Sequence, residues 1–192
     1  MNRQSRLNPP TVLTLLRILT IPLVVFLLYT PEGKEIPFSR SLVTFALFVA
    51  AAVTDLFDGY LARKHQMVTS LGKLLDPVAD KLLVCAAMIM LIPSHRVPAW
   101  MVAIVVAREI GVTALRGLAS TEGVVIAASS LGKAKTLLLN IGTAALILHY
   151  PLPVVRLDAH LFGMAFLVGG IVLTAWSGLD YFFRFVREIF KK

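Results

Sequence analysis

The chain has 192 residues, 57% of them hydrophobic and 16% charged, with a formal net charge of +8. That composition excludes an ordinary soluble domain, whose core would need a more polar shell than these residues supply. The cationic excess does not by itself indicate nucleic acid, because in so apolar a chain the placement of Lys and Arg between loops matters more than their sum.

Six apolar stretches follow one another, each of about the 20 residues that a helix needs to cross a hydrocarbon core of roughly 30 Å. They run from Thr11 to Tyr29, Ser41 to Arg63, Leu71 to Ile92, Pro98 to Ala119, Leu131 to Leu148 and His160 to Arg187. The first follows Arg3 and Arg6 but reads as a span rather than a secretion signal, since it is long, contains Arg17 and has no small-x-small cleavage site before Pro31. Pro31 to Ser39, with Pro31, Gly33 and Pro37, reads as an outer loop. Ser120 to Ser130 reads as an inner loop flanked by Arg116, Glu122, Lys133 and Lys135. No Ser/Gly-rich linker interrupts the series, so residues 1–192 are expected to form a single all-α membrane domain. The lone cysteine, Cys85, excludes an intramolecular disulfide.

Placing the N-terminus in the cytoplasm puts twelve of the 19 Lys and Arg on the inner side, from Arg3 and Arg6 to Lys191 and Lys192. The outer loops then hold four: Lys34, Arg40, Arg96 and Arg156. The bias predicts that both termini are cytoplasmic.

Ionisable groups inside a span are costly, and their default reading is functional. Asp55 and Asp58 fall near the cytoplasmic end of the second stretch, Asp76 and Asp80 near the start of the third. Spacings of three and four residues put each pair on one helix face, and the short connection from Lys64 to Ser70 lets the two faces meet. Four converging carboxylates repel one another unless a cation neutralises them, and all-oxygen ligands favour a hard ion, Mg²⁺ or Mn²⁺. Four such ligands suffice for two ions about 3.5–4 Å apart, an arrangement suited to phosphoryl chemistry. Gly59 leaves room for a nucleotide to approach the backbone, and Arg63 offers a charged fork for a phosphate oxygen. The competing explanation, an ion-pair network tying the two spans together through Arg63, Lys64, Lys73 and Lys81, accounts for neither Gly59 nor Gly72.

The run Asp55-x2-Asp58-Gly59-x2-Ala62-Arg63-x8-Gly72-x3-Asp76-x3-Asp80 resembles the complete signature of the CDP-alcohol phosphotransferase family. Similarity to its bacterial branch that uses sn-glycerol 3-phosphate extends over essentially the whole chain. It is carried by NPPTVLTLLR, DPVADKLLV, AREIGVTALR and SLGKAKT. The resemblance implies six transmembrane helices, usually in a homodimer, around a polar cavity open to the cytoplasm of a bacterial cell membrane. It implies Asp55, Asp58 and Asp76 as metal ligands, with Asp80 as ligand to a second ion and general base. Gly59, Arg63 and Thr69 would contact the CDP moiety of CDP-diacylglycerol. Many relatives have Asn in place of Thr11, which leaves that residue's nucleotide contact open. The TAWSGLDY segment also looks familial but has no assigned chemistry.

The residues support a phosphorylated acceptor independently. Arg108, Arg116, Lys133 and Lys135 gather on the cytoplasmic side of the fourth and fifth stretches, where a cationic pocket suits a phosphomonoester. Arg108 and Arg116 lie eight residues apart and share a helix face, and Glu109 is placed to pair with one of these cations. The ordinary cytoplasmic bias of basic residues would produce a similar count. Thr11, Thr14 and Arg17 recur on one face of the first stretch, where they either line the nucleotide cavity or bond between helices. His65, His95, His149 and His160 show no ligand spacing and read as interfacial, and Trp100 and Tyr150 read as belt residues.

A cardiolipin synthase or phosphatidylinositol phosphate synthase of the same family would share the signature. A cation transporter, the alternative from another class, predicts carboxylates spread through the membrane depth rather than clustered at one side.

Overall fold

The computed structural model describes residues 9–65, 81–121, 131–151 and 158–189, with backbone alone for residues 9–15, 55–65, 131, 133 and 189. The described residues form helices and connections, without a strand. Among the described residues six helices appear in chain order: α1 (Pro9–Leu28), α2 (Phe38–His65), α3 (Lys81–Met90), α4 (Ala99–Thr121), α5 (Leu131–Leu148) and α6 (Ala159–Ile189). The expected spans agree with these helices to within a few residues at every described end.

Local chemistry sets the boundaries. Pro9 opens α1, where its missing N–H costs nothing. The Asp158 carboxylate caps α6, accepting from the backbone N–H of His160 at 2.9 Å and of Leu161 at 3.2 Å. At the end of α5, His149 turns left-handed with φ 61°, its N–H bonding to the Ala145 carbonyl at 2.8 Å, and Pro151 follows. Within the helices, the hydroxyls of Thr20, Thr44, Thr54, Thr113, Thr136 and Thr174 each donate to the carbonyl four residues back, which satisfies them in apolar surroundings.

Helix α5 packs most extensively on α6, while α1 meets α2, α2 meets α5 and α4 meets α6. The α5–α6 approach depends on small residues: a Cβ on Gly142 would sit 2.8 Å from the Leu167 nitrogen, and one on Gly163 would sit 2.7 Å from Leu146 Cγ. Backbone-to-backbone packing of this kind associates helices where water supplies no hydrophobic drive. Inside lies a core of Val24, Leu28, Phe48, Met88, Leu91, Leu146, Ile147 and Leu167, none more than 1% exposed. Outside, large apolar side chains such as Leu19, Phe26, Ile110, Leu161, Trp176 and Phe183 are exposed on several helices. Apolar surface on both sides of a helix layer is the pattern expected where lipid is the solvent. Among the described residues one helix, Ala159–Glu188, is long and apolar enough to cross a membrane on that measure alone.

Arg96 lies, as expected, in the connection between the third and fourth helices, but it is buried there. It is 1% exposed, and its guanidinium donates to Ile147 O at 2.7 Å, to Ile36 O at 3.0 Å and to Ser41 Oγ at 3.0 Å. The Ile147 carbonyl belongs to the last turn of α5 and has no intrahelical partner, so Arg96 closes that helix end while tying it to the start of α2. Burial lowers the guanidinium pKa from its ordinary value, opposed by Tyr150 and Glu35. Tyr150 is likewise no simple belt residue: its hydroxyl donates to Ile36 O at 2.8 Å and its ring lies 5.7 Å from the Arg96 guanidinium. His149 and His160, expected as separate interfacial residues, meet edge to face with ring centroids 4.8 Å apart.

Candidate active site

The signature begins on α2. Its helix continues unbroken to His65, so Asp55, Asp58, Gly59 and Arg63 occupy the final three turns, and Gly59 follows Asp55 by about one turn. Thr69, Asp76 and Asp80 lie outside the described residues, as does any direct measure of how the four carboxylates approach each other. Thr11 sits in the first turn of α1. Six residues on, Arg17 is only 4% exposed, a buried cation on the same helix. Among the described residues no three His, Cys, Asp or Glu form a metal-binding group.

Among the described residues, α3, α4 and α5 bound a cavity of about 170 Å³. Lys81, Arg108, Glu109, Arg116 and Lys135 all line it. Its centre is the Glu109 carboxylate. Oε1 accepts from Arg108 Nη1 at 2.9 Å and from Lys135 Nζ in a close ion pair, and Oε2 lies 3.1 Å from Lys81 Nζ. Lys135 is 5% exposed, so its ammonium is compensated mainly by protein rather than by water.

Two of these cations have a second anchor. Lys81 Nζ donates to Thr113 Oγ at 3.0 Å, and Arg108 Nη2 donates to Ser177 Oγ of α6 at 3.2 Å. Gly178 makes the latter possible, because a Cβ there would lie 3.1 Å from Arg108 Cγ. Arg116 places its guanidinium 5.9 Å from the Tyr181 ring centroid. The TAWSGLDY segment therefore has a structural role, seating Arg108 through Ser177 and Gly178.

Of the four expected acceptor-binding cations, Arg108, Arg116 and Lys135 meet at one cavity. Lys133 lies in the first turn of α5, with its side chain outside the described residues. The expected pairing of Glu109 with a neighbouring cation is observed and extends to three of them. Lys81, which sequence reasoning considered only as a member of the competing ion-pair network, is added to the cavity by the fold; its place directly after Asp80 was the signal that could have flagged it.

A larger cleft, of about 780 Å³, opens near the other end of α4 between residues 29–32 and 92–99. Among the described residues that line it, Glu32 and His95 are the only ionisable side chains apart from Tyr29, and none is Lys or Arg. Chemistry rather than size therefore favours the smaller cavity for a phosphorylated ligand.

The all-helical fold and the cationic cavity, together with the acidic signature in the sequence, point to one class, and comparison with known proteins gives the same one. The model of the CDP-alcohol phosphatidyltransferase family matches residues 7–176, and the chain belongs to that family. A Bacillus subtilis protein named CDP-diacylglycerol–glycerol-3-phosphate 3-phosphatidyltransferase is 40% identical over 183 residues, covering 91% of this chain and 93% of its own. A Shigella flexneri protein of the same name is 40% identical over 179 residues, covering 91% and 92%. A Mycobacterium tuberculosis protein named probable phosphatidylglycerophosphate synthase is 35% identical over 182 residues, covering 95% and 83%.

Proposed function

We propose that this chain transfers the phosphatidyl group of CDP-diacylglycerol to sn-glycerol 3-phosphate, giving phosphatidylglycerol phosphate and CMP. Relatives at 40% identity over nearly their full length carry the name of that reaction. One structural observation supports this reading most: Lys81, the residue immediately after the signature's last aspartate, lies in the cationic cavity 3.1 Å from Glu109. Asp80 is one Cα step of about 3.8 Å from it along the chain. That continuity supports our reading that the acid-bearing segment and the cavity serve one site, as a reaction between a diphosphate and a phosphorylated alcohol requires.

Dependence on divalent metal is general in this family. The donor set fits a hard cation, since Asp55, Asp58, Asp76 and Asp80 offer only carboxylate oxygens. In our reading these four residues hold two ions, Mg²⁺ or Mn²⁺. When bound, the metal supplies neutralising charge for the diphosphate. Gly59, Arg63 and Thr69 bind the CDP moiety, with Thr11 and Arg17 on the α1 side. Arg108, Arg116, Lys133 and Lys135 hold the acceptor's phosphate. Asp80 accepts the proton of the acceptor's primary hydroxyl. The resulting alkoxide forms a bond to the lipid-bearing phosphorus, and the bond from that phosphorus to the CMP oxygen breaks, its electron pair leaving with CMP. Arg63 stabilises that charge. Positioning and electrostatics provide most of the acceleration, because the protein forms no covalent bond.

The same reading makes residues 1–192 one membrane domain in the bacterial cell membrane. All six helices cross the bilayer, both termini and the cavity face the cytoplasm, and the protein is a homodimer.

The test is an acceptor panel. Purified protein receives CDP-diacylglycerol with glycerol 3-phosphate, inositol phosphate or phosphatidylglycerol, and CMP release is followed with and without chelator. Release with glycerol 3-phosphate, abolished by chelator and restored by Mg²⁺ or Mn²⁺, is the expected result. Preference for either other acceptor would replace the assignment.

A further inference from the structure

The cation cluster already contains an anion. The Glu109 side chain is 12% exposed and draws together Lys81 of α3, Arg108 of its own helix and Lys135 of α5. For Lys81 and Arg108, a neutral hydroxyl backs the carboxylate, and each hydroxyl is itself fixed by its own helix. Thr113 Oγ donates to Glu109 O at 2.7 Å, and Ser177 Oγ donates to Thr174 O at 3.2 Å. These anchors would hold the two cations in place if the carboxylate let go.

We infer that Glu109 is a resident counter-anion occupying the acceptor's phosphate subsite, a positioning residue that phosphate must displace and that makes the cavity selective for dianions. The inference rests on the acceptor assignment under Proposed function and adds the basis of selectivity. Three cations around one carboxylate leave two positive charges unbalanced, and Arg116 lines the same cavity. A phosphomonoester brings nearly two negative charges and three acceptor oxygens, enough to exchange with the carboxylate and bind the excess. A monoanion only reproduces what Glu109 already provides. With Glu109 in place the cations are also kept from repelling one another, which preserves an open, ordered cavity between turnovers.

The experiment uses inorganic phosphate and nitrate as inhibitors competing with glycerol 3-phosphate in full-length protein. In the wild type, phosphate should inhibit more strongly as pH rises through its second ionisation, while nitrate competes weakly throughout. Glu109→Gln should lower the inhibition constant for phosphate by about tenfold, the scale of one charge-assisted hydrogen bond. It should also let nitrate compete and leave the KM for CDP-diacylglycerol unchanged. Glu109→Asp, which keeps the charge, should restore discrimination against nitrate. An unchanged or higher phosphate inhibition constant in Glu109→Gln would overturn the inference. Equal inhibition of the wild type by mono- and dianionic phosphate would do the same without needing a folded variant. The acceptor assignment fails separately, if phosphate does not compete with glycerol 3-phosphate in the wild type and Lys135→Ala raises the KM of lipid and acceptor alike.

Discussion

Replacing Arg96 by Met keeps an unbranched stem and removes the guanidinium. Ile36 O retains the Tyr150 hydroxyl at 2.8 Å, so the stranded groups are chiefly Ile147 O, bonded at 2.7 Å, and Ser41 Oγ, bonded at 3.0 Å. A buried polar group left without a partner costs about 1–3 kcal/mol. Losing a cation from a helix C-terminus adds about 0.3–1 kcal/mol. Relief of the guanidinium's own burial offsets part of this, since desolvation is the leading influence on its pKa. The net expectation is a destabilisation of about 3 kcal/mol, or a fall in Tm of roughly 6–12 °C for a chain of this size. Thermal unfolding in detergent micelles, followed by circular dichroism, measures it. Arg96→Lys should recover part of the loss, having the charge without the fork. Turnover per folded molecule should stay near wild type, because Arg96 touches the first turn of α2 and the last turn of α5, far along α2 from the signature. A Met variant unfolding within about 2 °C of wild type would refute the reasoning that Arg96 closes α5.

Asp80→Asn should reduce CMP release by at least about a hundredfold, the lower range for a general acid–base group, while the protein still folds; wild-type release would remove Asp80 from the base role. Lys135→Ala should raise the acceptor KM by about tenfold or more with little change for the lipid, because it deletes one charged donor while Glu109 keeps Arg108 and Lys81. His149 lies beyond α5 with its pKa lowered from 6.5 by burial, then by Arg96 and His160, against smaller opposing effects of Glu35 and Asp158. The unfolded chain therefore takes up this proton before the folded one does. Stability contributed by neutral His149 should be complete above about pH 6.5 and fall as pH drops below it. Asn tolerates the left-handed backbone, so His149→Asn should flatten that part of a Tm-against-pH curve.

The helices were legible in the chain because apolar runs and prolines act locally: the fifth stretch, Leu131 to Leu148, coincides with α5, and the others described differ by a few residues at their ends. The acidic signature was legible for the same reason, its spacing being a property of two short segments. Sharing of one helix face by Arg108 and Arg116 also follows from periodicity, and both line one cavity. The partners of Glu109 did not follow, nor did the use of Ser177 and Gly178 to seat Arg108.

By itself, then, the sequence determined an apolar all-helical chain with a family-specific acid pattern, since period and composition are written residue by residue. Only the tertiary structure decided that Arg96 is a buried clasp within its loop, that Lys81 joins the cation cluster, and that His149 meets His160. These depend on how helices far apart in the chain are brought together. The polar groups and charges thereby removed from solvent must find partners, and which ones lie within reach is set by packing rather than by neighbours in sequence.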